Sequence, residues 1–115
     1  MTSTTTHALS QSDLFRSLDE TELVRLASSC GQRTYGPGEL VFLRGDPGDC
    51  MYVVAAGAVE VSLSSVGGRD VLLAVLDPYQ SFGELALVDD GPRVATVTAR
   101  TRTVLVSVPR RAAAR

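Results

Sequence analysis

The sequence predicts a mainly β domain, an antiparallel sandwich or barrel preceded by a short amphipathic helix. Two observations carry this. From Gln32 onward, short apolar runs recur between turns rich in glycine, proline and aspartate, at intervals of about 8–12 residues. Ahead of them, Leu23, Leu26, Ala27 and Cys30 fall on a single helical stripe. The 115 residues are enough for one core and too few for two. A hydrophobic share of 44% with a net charge of −2 excludes a disordered chain.

Taken in order, residues 1–11 are polar, rich in threonine and serine and without period, which predicts a mobile tail. Residues 13–18 predict a single helical turn. Asp19 then suits a helix N-cap, with Glu22 placed to close a capping box. Gly31 offers a left-handed stop to that helix. The strands expected next are 40–43, 51–54, 58–63, 71–76, 94–99 and 103–108. Within the third of these, Val59, Val61 and Leu63 alternate with Glu60 and Ser62, which gives that strand one wet face. Gly67-Gly68 predicts a hairpin tip, and the stretch from Gly45 to Asp49 a tight turn. Arg100 and Arg102 are expected to point outward from a strand. Residues 82–88 interrupt the strand rhythm with helix formers and predict a two-turn helix between strands. Pro109 suits the first position of a further helix, which Arg115 cuts short.

Several function classes are set aside by composition. No apolar run approaches the roughly 20 residues that span a bilayer, and MTSTTTHALS lacks the basic start and apolar stretch of a secretory signal. All 11 basic residues are arginine and acidic residues outnumber them, so no cationic surface for phosphate backbones is expected. Cys30 and Cys50 form no CxxC pair, and the single histidine, His7, lies near the start, which argues against a metal site. The two cysteines could bridge, but reduced thiols in a cytoplasmic protein are the simpler expectation. With no GxSxG elbow, no lysine for a phosphate loop and no serine–histidine pairing, the chain is not expected to be an enzyme.

The chemistry concentrates in residues 82–99, FGELALVDDGPRVATVTA. Gly83 allows close backbone approach. The amides from Glu84 to Ala86 would be the free donors of a helix start, an anion site. Arg93 can grip two oxygens of one phosphate. Glu84 can accept from sugar hydroxyls. A small sugar phosphate fits this set. The plainer alternatives are an Arg93 pairing with Asp89 or Asp90 at a turn, and a Glu84 that only favours a helix start.

FGELAL followed by PRxATVxA resembles the phosphate-binding cassette of the cyclic nucleotide-binding domain family. Leu14-Phe15 with Leu18, then Glu22-Leu23 with Leu26-Ala27, is similar to the family's N-terminal helical segment. Tyr35-Gly36-Pro37-Gly38-Glu39, Arg44-Gly45-Asp46-Pro47-Gly48-Asp49, Met51-Tyr52-Val53-Val54 and Gly57-Ala58-Val59 resemble its first four strands and turns. The likeness runs from about residue 13 to residue 111.

The resemblance implies an eight-stranded antiparallel β-roll of jelly-roll type with short flanking helices, one of them a phosphate-binding helix between strands. It divides the chain into a tail, 1–11, and a binding domain, 12–115, with a truncated C-terminal lid helix. It implies ligand contacts from Gly83, Glu84, Leu85, Ala86, Arg93, Val94 and Ala95. The phosphate would lie on Arg93 and the amides near Ala86 and Val94, and the ribose hydroxyl on Glu84. Val94 has no hydroxyl for a guanine amino group, so cAMP is expected before cGMP, with no cofactor or metal beside it. The implied role is a sensor acting on an attached or associated effector outside this chain, foremost a transcriptional regulator, with a homodimer in a longer parent. Neither nucleic acid nor membrane contact is expected from the chain itself. The alternative is an interaction module that keeps the fold without the ligand. Two departures from the family pattern stand out: Val94 itself, and Tyr79-Gln80 where a glycine and a polar residue usually precede the cassette.

Overall fold

The computed structural model describes residues 3–64, 67–84 and 91–113. The helix expected after Asp19 forms as α2, Glu20–Ala27. Its capping box is complete: the Glu22 amide donates to the Asp19 carboxylate at 2.8 Å, and the Asp19 amide donates to the Glu22 carboxylate at 3.0 Å. Two of the helix's orphan donors are thereby satisfied. The helix ends at Ser28, and Gly31 is not its left-handed stop, contrary to expectation. Gly31 instead opens β1 opposite Ser107, where a Cβ would come within 2.7 Å of the Ser107 hydroxyl.

Eight strands among the described residues build two antiparallel sheets, the β-roll that the sequence implied. One sheet runs β1 (Gly31–Tyr35), β8 (Thr103–Pro109), β3 (Cys50–Ala56), β6 (Ser81–Phe82). The other runs β2 (Leu40–Phe42), β7 (Thr96–Ala99), β4 (Val59–Ser64), β5 (Asp70–Leu76). The chain passes from β8 into a short helix, α3 (Arg110–Ala113).

Alternation along β3 and β8 explains why both read as unbroken apolar runs. Val54 and Leu105 face the space between the sheets, where they meet Tyr35, Phe42, Val59, Phe82 and Val97. Met51, Val53, Val106 and Val108 face the other way, into a second cluster completed by the helices. A strand covered on both faces has no wet side to break its pattern.

The expected tail at residues 1–11 is corrected by the structure. Residues 4–11 form helix α1 (Thr4–Gln11), capped by the Ser3 hydroxyl, which accepts from the Thr6 amide at 3.0 Å. Only Ala8 and Leu9 of this helix are buried, both in the second cluster. Two adjacent apolar residues in a threonine-rich stretch make no stripe, so periodicity had nothing to detect. Leu9 is nonetheless fully enclosed. Leu9→Ala is expected to lower unfolding free energy by about 2–3 kcal/mol, measured by urea titration.

Other expectations need smaller corrections. β1 is polar and four of its five residues are exposed, and β6 has two residues, so neither carried an apolar signal. Phe82 belongs to β6, opposite Tyr52, and not to the helix expected over 82–88. The rest of that helix falls largely on residues 85–90, outside the described residues. Arg100 and Arg102 are exposed but lie in the turn between β7 and β8 rather than on a strand. Tyr79 holds a φ of 76°, the left-handed region that glycine favours. The Tyr79 amide donates to the Val54 carbonyl at 2.6 Å, and its ring meets His7 edge-on at 5.6 Å. Packing under α1 therefore holds a conformation for which the backbone alone would prefer glycine.

Candidate functional site

Arg93 enters the site with its backbone already fixed. Its amide donates to the Asp46 carbonyl at 2.7 Å, and its carbonyl accepts from the Gly45 amide at 2.8 Å. An isolated antiparallel bridge between Pro47 and Pro92 extends the same contact. The turn that holds it is braced by the Asp46 carboxylate, which accepts from the Leu43 amide at 2.9 Å. The tight turn legible in the sequence at Gly45 to Asp49 thus serves as the clamp on the Arg93 main chain.

The Arg93 side chain then runs inward and is only 8% exposed. Nη2 donates to the Cys50 carbonyl at 2.7 Å and lies 3.7 Å from the Cys50 sulfur. Nη1 donates to the Gly83 carbonyl at 3.4 Å. The guanidinium carbon stands 4.3 Å from the centre of the Phe42 ring and 5.6 Å from that of Tyr52. Nε is buried with no hydrogen-bond partner among the described residues. An unsatisfied buried donor is costly and points to a group that completes it.

Two glycines make room for this cation. At Gly48, a Cβ would come within 2.7 Å of Nε and 2.8 Å of the guanidinium carbon. At Gly83, a Cβ would come within 2.7 Å of Nη1, and the backbone is left-handed at φ 77°. Any side chain at Gly83 is therefore opposed twice, by sterics and by backbone conformation.

A cavity of about 180 Å³ opens beside the arginine, lined by Phe42, Phe82, Gly83, Glu84, Arg93 and Val94 among others. Of the seven residues the sequence singled out, Gly83, Glu84, Arg93, Val94 and Ala95 all border this cavity. Leu85 and Ala86 lie outside the described residues. Glu84 is exposed at the wall, Val94 is 65% exposed, and Ala95 is buried. Phe42, Tyr52, Gly48 and Cys50 escaped functional notice in the sequence. Phe42 sits in an ordinary apolar run, and the Cys50 contact is made by a main-chain carbonyl, which no side-chain pattern reveals.

Burial, and then the neighbouring Cys50 side chain, push the Tyr52 phenol well above its usual range, with Arg93 opposing. Tyr52 therefore stays neutral beside the cation. Cys30, within the helical cluster, is pushed up to about 11 by burial, and its thiol donates to the Leu26 carbonyl at 3.3 Å. Both cysteines are free.

Comparison with known proteins gives the family of this chain. The family model for the cyclic nucleotide-binding domain matches residues 32–115. The chain belongs to the cyclic nucleotide-binding domain family. The domain is 31% identical over 102 residues to the CRP-like cAMP-activated global transcriptional regulator of Mycobacterium tuberculosis, covering 89% of this chain and 46% of that protein. The N-terminal domain of a transcriptional regulator from Streptomyces coelicolor A3(2) superposes with a TM-score of 0.85 at 39% identity, over 91% of this chain and 73% of that one. The regulatory domain of Toxoplasma gondii PKA, solved with cAMP, superposes with a TM-score of 0.84 at 32% identity, over 95% of this chain and 41% of that one. The cyclic nucleotide-binding domain described here thus spans less than half the length of the Mycobacterium regulator. Among the described residues no helix is long and apolar enough to cross a membrane.

Proposed function

We propose that this domain binds cAMP in the cavity beside Arg93 and passes the binding signal to an effector, foremost a DNA-binding regulator. The observation that carries the reading is Arg93: a buried guanidinium at a cavity wall, its Nε without a partner among the described residues. A cyclic phosphate supplies the missing acceptor and the missing negative charge. Glu84, exposed at the same wall, accepts from the ribose hydroxyl, and the Gly83 backbone lets the sugar approach. The amide of Val94 completes the phosphate cradle, with Ala95 buried beside it, and the contacts expected from Leu85 and Ala86 fall outside the described residues. Val94 offers no hydroxyl to a guanine amino group, which favours cAMP over cGMP. The Mycobacterium relative is named as cAMP-activated and the Toxoplasma domain was solved with cAMP, which supports the same choice.

Binding shifts the effector only as far as the nucleotide prefers one arrangement of the segment after β8. The alternative, an interaction module without ligand, gains no support from Val94: at 65% exposure its branched side chain does not fill the cavity.

Calorimetric titration separates the two. The expected result is saturable heat with cAMP and weaker binding with cGMP. Glu84→Ala is expected to lose about 1.5–3 kcal/mol of cAMP binding, the worth of hydrogen bonds to a charged group. A folded domain that gives neither heat nor a thermal shift at millimolar cAMP overturns the reading.

A further inference from the structure

Arg93 poses a problem that its hydrogen bonds do not solve. A guanidinium this deeply buried ordinarily sits against a carboxylate, because burying an unpaired charge is costly. The ion pairs Arg16–Asp13 and Arg100–Glu60 do not involve Arg93, and Asp89 and Asp90, the acids the sequence offered as its partners, lie outside the described residues. Among the described residues its contacts include two carbonyls, the Cys50 sulfur and the faces of two aromatic rings. Those rings are themselves fixed. Tyr52 stacks on Phe82 at 5.1 Å, and Phe42 lies 6.0 Å from each.

We propose that Phe42 is a positioning residue for Arg93: its ring face, seconded by Tyr52, holds the buried cation inward at the cavity wall. A carboxylate would neutralise the charge and occupy the in-plane N–H groups. A π face attracts the cation from above and consumes none of its five donors. The guanidinium is thus held inward, undivided in charge, with its edge available to an incoming anion. The anion's identity as a cyclic phosphate rests on the reading of the preceding section. The residue at position 42 then sets affinity without touching the ligand's phosphate.

The test replaces Phe42 with phenylalanines of increasing ring fluorination, which drain the π face and leave the shape nearly constant. cAMP affinity is measured by calorimetry and folding by urea titration. Affinity is expected to fall stepwise, by about five- to thirtyfold in all, with little change in the urea midpoint. Phe42→Leu follows the same direction, and Phe42→Tyr, which keeps a ring face, retains binding. In the ligand-free domain the Arg93 side-chain protons resonate upfield through the ring current, and they lose that shift in Phe42→Leu. A parent that binds cAMP together with a flat fluorination series overturns this proposal alone. A parent that takes up no cAMP removes the functional reading and this proposal with it.

Discussion

Arg93→Ala is expected to cost about 2–5 kcal/mol of cAMP binding, a loss of roughly thirtyfold to several thousandfold. The phosphate would then enter a cavity whose remaining polar walls are backbone groups and Glu84, and the last of these repels it. The same substitution should leave the fold as stable as before, or slightly more so. In the free domain the guanidinium is 8% exposed and its Nε has no partner among the described residues. Removing such a charge removes a desolvation cost as well as two hydrogen bonds. An arginine retained for packing predicts the reverse, a large stability loss and little change in binding. Calorimetry beside urea titration of the same variant tells the two apart. Arg93→Lys is not a rescue: a point charge cannot span the Cys50 and Gly83 carbonyls and face a phosphate with a third edge.

How much of this was legible follows from where each signal resides. The capping box at Asp19 and Glu22 is local, and the sequence displays it whole. The buried strands β3 and β8 announce themselves because both faces are covered. β1 and β6 do not: one is polar along an open edge, the other is too short to show a period. Helix α1 is held by Leu9 entering a cluster made of strands distant in sequence, so its local composition reads as tail. The site divides the same way. Gly83, Glu84 and Arg93 stand within one short motif, and their types suit anion binding even before the chain is folded. The partners of Arg93 come from elsewhere, the Cys50 carbonyl 43 residues away and the Phe42 ring on another strand. Their roles depend on geometry that only the closed roll creates. Tyr79 is the inverse case. Its place where the family usually carries glycine was visible in the sequence, and the left-handed backbone there shows why glycine is the usual residue.

The largest stability effect is expected at Gly57, in the turn that carries β3 of one sheet into β4 of the other. Its φ is 85°, and a Cβ there would collide with the Arg102 carbonyl, the Thr103 hydroxyl and the Thr103 Cα. Two of these are backbone atoms, which cannot swing aside as a side-chain tip would. The Thr103 hydroxyl is committed as well, donating to the Ala58 carbonyl at 2.9 Å in the same corner and fully buried. The β3–β4 turn and the start of β8 therefore touch main chain to main chain, and this contact joins the two sheets at one end of the roll. Gly57→Ala is expected to lower unfolding free energy by about 3–5 kcal/mol, combining left-handed strain with displacement of β8. Gly38→Ala separates the two causes. Gly38 has nearly the same φ, 80°, but nothing stands within 4 Å of its missing Cβ. That variant should lose only about 1–2 kcal/mol, the conformational part alone. Equal losses in the two variants, measured by urea titration, would mean that the close approach of Gly57 to β8 contributes nothing. A several-fold larger loss at Gly57 would locate the roll's tightest constraint at the end of β3. Because β3 also supplies the Cys50 carbonyl and the Tyr52 ring, a shift of β8 against β3 should reach the Arg93 pocket. Gly57→Ala is therefore expected to weaken cAMP binding as well, and Gly38→Ala to leave it unchanged.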